Sequence, residues 1–372
     1  MPKNIVVFSD GTGQEGGKGH NTNVYKLFNM IEDRTGKQVT FYDRGLGTGW
    51  RKFTGNVAGM GISKNIRECY EFIFEHYSAG DQVFLFGFSR GATTVRSLST
   101  FIHLFGILPK SRPELIKKAY KIYKKRDRAK RDQKAARFVQ QHHTMWCRIH
   151  FLGVWDTVAA LGLPFKSIDV LVDKVPFFRH SFQDLRLSES VQHARHALAI
   201  DDERLTFHPT LWDEKFSDNQ EEKQVTMKQV WFCGMHTDVG GGYREHELSD
   251  IPLIWMIGEA KEIGLRLYSM HGVDLIPDPN GIMHDSRRGF PKKLFRKKER
   301  YWNSETQGKP VVHESVLLRK LNQHNEQSPP YIPWILSKDY ELEAWPESQR
   351  TVKLSSPIDV LTESVGKGII LG

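Results

Sequence analysis

Cysteine is scarce: Cys69, Cys147 and Cys233 are the only three in 372 residues. They have neither the density of a disulfide framework nor the paired spacing of a metal site. Cys233 lies inside an apolar run and is expected to be a small core residue. No apolar run approaches the roughly 20 residues that a membrane-crossing helix requires. A strand-like run begins at Asn4, so no signal peptide is expected; the expected location is cytoplasmic, with peripheral membrane contact or specialised export left open. The compact ligand pattern His-Glu-x-x-His is absent, and His236, Asp238 and His246 do not replace it, so neither a metal nor another cofactor is expected. A phosphate-binding loop around Gly17-Lys18 would need glycine at 12 and Ser or Thr at 19, where the chain has Thr12 and Gly19. No internal repeat is found.

What is present centres on Gly87-Phe-Ser-Arg-Gly91. The stretch follows the apolar run Asp81–Phe86 and leads into a helical sequence over 92–101. Strand, Gly-x-Ser-x-Gly, helix is the context of a nucleophile elbow, in which a sharp turn exposes the Ser89 hydroxyl. The first amides of the following helix face the same place, so the Arg90 N–H is a candidate oxyanion donor. A second donor is expected from the loop after the first strand, at Gly11 or Thr12, with Asp10 anchoring that loop or contacting a ligand at its mouth.

A serine nucleophile needs a base, and the base needs a carboxylate to fix its tautomer. Two strand-like runs end suitably. Residues 148–155 run into Asp156, and residues 229–234 run into Met235-His236-Thr-Asp238, followed by three glycines. Strand ends on an open sheet are where catalytic groups collect. Asp156 is therefore read as the acid, with a helix N-cap as its alternative. His236 is read as the base, with His313 as a spare. Asp238 is a supporting carboxylate, better suited to orienting or capping than to the acid role.

Lys3–Gly13, Asn21–Leu27, Gly87–Ala92, Phe151–Val158 and His236–Tyr243 occur in that order. On these five segments the chain, over roughly residues 3–260, resembles the α/β-hydrolase family that includes the phospholipase effectors of bacterial type VI secretion. The resemblance implies a Ser-Asp-His triad, which falls on Ser89, Asp156 and His236, and ester hydrolysis on glycerophospholipid acyl chains. Nothing in the chain looks like a secretion adaptor.

Strand-like runs near 4–8, 39–43, 82–87, 148–155 and 229–234 alternate with helical ones near 22–32, 64–78, 91–105 and 250–263. Alternation of this kind predicts an α/β fold: an α/β-hydrolase-like, mostly parallel sheet with helices on both faces and inserted cap or lid segments. The expected division is a catalytic core over 1–270, carrying a basic helical insertion at 110–142 and a pocket-roof excursion at 160–225. An irregular, proline-rich region over 271–372 is expected to pack on the core or cover it.

Charge is concentrated. Residues 110–137 hold thirteen Lys/Arg and three acids, which accounts for essentially the whole net charge of +9. A thin apolar stripe of Leu115, Ala119, Ile122 or Tyr123, Ala129 and Ala136 makes this a solvated basic helix or a binding device. Residues 287–302 add eight basic side chains against Glu299, interleaved with Phe290, Leu294, Phe295, Tyr301 and Trp302. Such mixtures suit an anionic membrane surface, with nucleic-acid phosphates a weaker reading and a plain solvated loop the bland one. Arg195 and Arg204 are expected in salt bridges rather than on a head group. The combined expectation is a serine esterase, of phospholipase A type, with an ester or phospholipid substrate. The alternatives are a soluble esterase or acyltransferase on small or carbohydrate esters, and a non-catalytic hydrolase-like protein binding membrane or nucleic acid.

Overall fold

A computed structural model describes residues 2–11, 17, 19–45, 55–158, 185–213, 226–269, 272–285, 287, 297–322 and 330–350, with the side chains of 55–60 outside the account. Eight strands form one sheet in the order β2-β1-β3-β4-β5-β6-β7-β8. They are β1 (Asn4–Ser9), β2 (Gln38–Asp43), β3 (Gln82–Phe88), β4 (Ile149–Trp155), β5 (Val191–Ala199), β6 (Thr226–Phe232), β7 (Val311–His313) and β8 (Glu341–Glu343). Every neighbouring pair is parallel.

The sheet is covered on both faces, which is why its strands read as unbroken apolar runs. Ile5 and Val7 of β1 pack with Val83 and Leu85 under α2 (Gly55–His76) and α3 (Arg90–Phe105). Val6 and Phe8 pack with Phe84 and Phe86 beneath α1 (Asn23–Met30). The same face is covered by Ile251–Ala260 of a later helix, Glu247–Glu262. Strand order reverses between β1 and β3, so a crevice opens at their carboxyl ends, where an open α/β sheet places its ligands.

The basic insertion is two helices, α4 (Glu114–Tyr123) and α5 (Arg128–His142). It buries Leu115, Ile116, Ala119, Tyr120 and Tyr123, then Ala135 and Phe138, in the core shared with α2 and α3. The expected stripe is therefore corrected: Ala129 and Ala136 are exposed, because the break at Lys124–Asp127 resets the helical phase. The segment is a packed layer over α3. Its basic residues, the buried Arg131 excepted, stay exposed.

Two domain expectations also change. β5, inside the anticipated pocket-roof excursion, is a central strand between β4 and β6; residues 159–184 and 214–225 of that excursion lie outside the described residues. β7 and β8 extend the same sheet, so the chain beyond 270 is joined to the core by strand pairing. It also adds its own apolar cluster, where Trp302, Val312, Tyr331 and Ile335 pack on Trp231 and Cys233. Short strands of three residues carry too little periodic signal to be read from sequence.

Candidate active site

Ser89 sits between β3 and α3 with φ 57° and ψ −119°. It occupies the N-cap position of α3, yet its hydroxyl makes no cap bond. Among the described residues, three non-glycines have positive φ, and Ser89 and Asp156 (φ 38°) are two of them. Strain of this kind persists only where the surroundings over-determine it. The elbow closes against the end of β1 so tightly that a Cβ on Gly91 would lie 1.9 Å from the Ser9 carbonyl oxygen.

Asp156 follows β4, and His236 opens α6 (His236–Gly240), which follows β6. His236 Nε2 is 2.9 Å from Ser89 Oγ, and Nδ1 is 2.6 Å from Asp156 Oδ2. The carboxylate faces Nδ1, so that nitrogen carries the proton and Nε2 is left to accept from the serine hydroxyl. The imidazole lies against Phe88 (4.6 Å between centroids) and meets Phe207 edge-on (5.1 Å). Phe88 reaches it because Gly240 has no side chain: a Cβ there would overlap the ring at 1.9 Å. Burial holds the imidazole below its ordinary value, against the opposing pull of Asp156, so it is neutral and basic at neutral pH.

Asp156 is fully buried. Burial alone would push its carboxyl up, but the charge and hydrogen bonds of Arg300, joined by His236, hold it far below the usual carboxylate range. Arg300 Nη1 donates to Oδ1 at 2.6 Å and Nη2 to Oδ2 at 2.8 Å, and the Ala199 amide donates to Oδ1 at 3.1 Å. Beside it, the neutral His196 accepts from the Thr157 amide (3.1 Å); burial, with Arg96 nearby, pushes its imidazole down to about 3.

Asp10 anchors its loop. Its Oδ2 accepts from Thr22 Oγ1 and Tyr42 Oη, both at 2.6 Å, and burial pushes its carboxyl up to about 6 against these bonds. The Gly11 amide, expected as an oxyanion donor, instead donates to Asp10 Oδ1 at 2.7 Å. That assignment is corrected: the donor is already occupied by the neighbouring carboxylate. Thr12 lies outside the described residues. The Arg90 amide is at the N-terminus of α3, beside Ser89.

Asp238 caps α6, accepting from the Met235 amide (3.1 Å) and pairing with His284 Nδ1 (2.7 Å). His313 is buried in β7, bonded to Ser315 and stacked on Phe232. Arg195 pairs with Glu259 and Arg204 with Asp202. The second basic run departs furthest from expectation. In its described part Arg300 and Trp302 are buried, and Arg287 and Lys297 pair with Glu203; residues 288–296 lie outside the described residues. Sequence reasoning missed Arg300, His284, His196 and Asn23. Arg300 carried no signal of its own, since its carboxylate partner is 144 residues away.

A parallel sheet with Ser89 after β3, Asp156 after β4 and His236 after β6 gives this chain the α/β-hydrolase fold. Residues 3–259 match the family described as the type VI secretion phospholipase effector, Tle1-like, catalytic domain. The chain belongs to that family. It is 28% identical over 230 residues to Uncharacterized protein YEL023C of Saccharomyces cerevisiae, a match spanning 55% of this chain and 32% of the yeast protein. An uncharacterised Pseudomonas aeruginosa protein is similar in structure at 16% identity and TM-score 0.44, covering 72% of this chain and 47% of that one. The Tle1 effector bound to the VgrG spike is similar at 16% identity and TM-score 0.34, covering 66% and 52%. The chain thus spans about a third of the yeast relative and about half of these two structures. Among the described residues no helix is long and apolar enough to cross a membrane, and no His/Cys/Asp/Glu group has a metal-ligand arrangement.

Proposed function

We propose that the protein is a serine hydrolase of carboxylic esters in which Ser89 attacks, His236 transfers protons and Asp156 holds the imidazole. The observation that carries this is the hydrogen-bonded line from Ser89 Oγ through His236 to Asp156, at 2.9 and 2.6 Å. In the first step His236 Nε2 takes the hydroxyl proton as Oγ attacks the carbonyl carbon. The alcohol then leaves with that proton. Water next gives its proton to Nε2 and releases the acid, restoring Ser89. The Arg90 amide is a donor for the oxyanion.

For the substrate we propose the acyl ester of a glycerophospholipid, cleaved in the manner of a phospholipase A. Family membership supports this. So does the exposed basic surface of α4 and α5, where Lys124, Lys125 and Arg126 lie in the connecting turn and Arg128 begins α5. β3 delivers Ser89 at the sheet's carboxyl edge. The α4 end that leads into this turn bonds Ser97 of α3, two turns past that serine (Tyr123 Oη to Ser97 O, 3.1 Å). A lipid surface that met the turn would lie on the same side of the sheet as the site.

The test is a fluorophosphonate adduct read by intact mass, on the native protein and on Ser89→Ala, with and without anionic phospholipid vesicles. Labelling and phospholipid turnover in the native protein alone are expected. Hydrolysis retained in pure Ser89→Ala would sink the assignment. Turnover of soluble short-chain esters with none on vesicles would replace the phospholipid substrate by a small ester.

A further inference from the structure

We infer that Arg300, from beyond the family's matched segment, is a positioning residue of the hydrolytic site, clamping the Asp156 carboxylate so that it can orient His236. The inference rests on the triad reading above. Both guanidinium ends engage the carboxylate, at 2.6 and 2.8 Å, and Nη1 and Nη2 also donate to the Ala199 and Phe207 carbonyls at 2.6 and 2.7 Å. One side chain therefore ties the acid to the end of β5 and to the turn whose Phe207 ring stands on the imidazole. With the Ala199 amide and His236 Nδ1, every lone-pair direction of Asp156 is used.

Neither side chain is exposed: both are at 0%. Without the guanidinium only the Ala199 amide and His236 Nδ1 hold the Asp156 carboxylate, so its plane, and with it the orientation of the imidazole, is no longer fixed. The guanidinium also offsets the carboxylate charge felt by the imidazolium, so His236 stays neutral to lower pH. The charged groups facing the imidazole are Asp156 after β4 and Asp202 and Arg204 after β5. Those facing Arg300 are Asp156, Asp202 and Asp201. Loss of the guanidinium leaves the imidazole facing mainly carboxylates and so more easily protonated.

The experiment uses the full chain as native protein, Arg300→Met, Arg300→Lys and Ser89→Ala. It measures melting temperature, the rate of fluorophosphonate labelling, and kcat and KM on p-nitrophenyl butyrate across pH. Arg300→Met should lower kcat and labelling roughly 100-fold, as expected of a misplaced catalytic group, with KM nearly unchanged. Its acid limb should move up by about one pH unit, a tenfold change in the protonation ratio. Arg300→Lys should keep the native limb and recover about a tenth of the native rate, and added guanidinium should partly restore Arg300→Met. A folded Arg300→Met with native rate and native limb overturns the inference. Should that variant fail to fold, Arg300→Lys decides: native rate overturns it, and a tenfold loss at native melting temperature supports it. A native protein unlabelled at Ser89 overturns the triad reading, and this inference with it.

Discussion

Asn23 holds Val239 in place: its side-chain amide donates to the Val239 carbonyl at 2.9 Å, and its other hydrogen goes to the Ser249 carbonyl at 2.8 Å. Asn23 begins α1, Val239 lies in α6 beside His236, and Ser249 belongs to the next helix, Glu247–Glu262. A short helix of five residues has little stability of its own. Its orientation, and hence that of the imidazole, depends on such external ties. Asn23→Ala leaves two carbonyls without this donor and should lower stability by about 1–3 kcal/mol. Activity should fall more steeply than melting temperature, and denaturation curves beside esterase rates check both.

Gly91→Ala should be damaging, although Gly→Ala inside a helix ordinarily stabilises by up to about 1 kcal/mol. The added methyl would lie 1.9 Å from the Ser9 carbonyl oxygen and 2.7 Å from that of Asp10. Backbone on both sides must move, taking Ser89 with it. Loss of fluorophosphonate labelling with a depressed melting temperature is the expected result.

Activity should fall on the acid side along a limb that lies below the ordinary histidine value of about 6.5. Burial lowers the His236 pKa, so the base form persists to lower pH than that of a free imidazole. Stability should fall in the same direction for a separate reason. Burial pushes both His196 and His313 down to about 3. The unfolded chain protonates near pH 6.5 while the native one does not, so stability is complete above 6.5 and is lost as pH falls towards 3. At pH 4.5 the two together should cost about 5 kcal/mol. Urea midpoints at pH 7 and pH 5 test this; equal midpoints would contradict it.

Replacing Lys124, Lys125, Arg126 and Arg128 with glutamine should weaken binding to anionic vesicles by two orders of magnitude or more, at about 1 kcal/mol per charge. Hydrolysis of p-nitrophenyl butyrate should be unchanged, because these exposed side chains stand on the α4–α5 turn and the first residue of α5. Co-sedimentation at two salt concentrations measures it. Unaltered vesicle binding in the folded variant would remove this turn from the lipid reading.

The sequence by itself determined the parallel core and the meeting of its three polar groups. Runs such as Val83–Phe86, doubly buried, announce a strand whatever surrounds them. An elbow serine, an acid and a histidine at the carboxyl ends of parallel strands must share one edge of the sheet. Local chemistry also made Asp10 an anchor and Asp238 a cap, since short acidic side chains beside loop and helix amides act within a few residues. Tertiary structure decided what depends on distant partners. Whether Gly11 offers its amide turned on the rotamer of Asp10. Whether 311–313 and 341–343 are strands turned on an open edge at β6. Arg300 read as one more cation in a basic run until folding brought it to Asp156. A charge shows in sequence only its sign; its burial, and therefore its role, is set by the partner that the fold delivers.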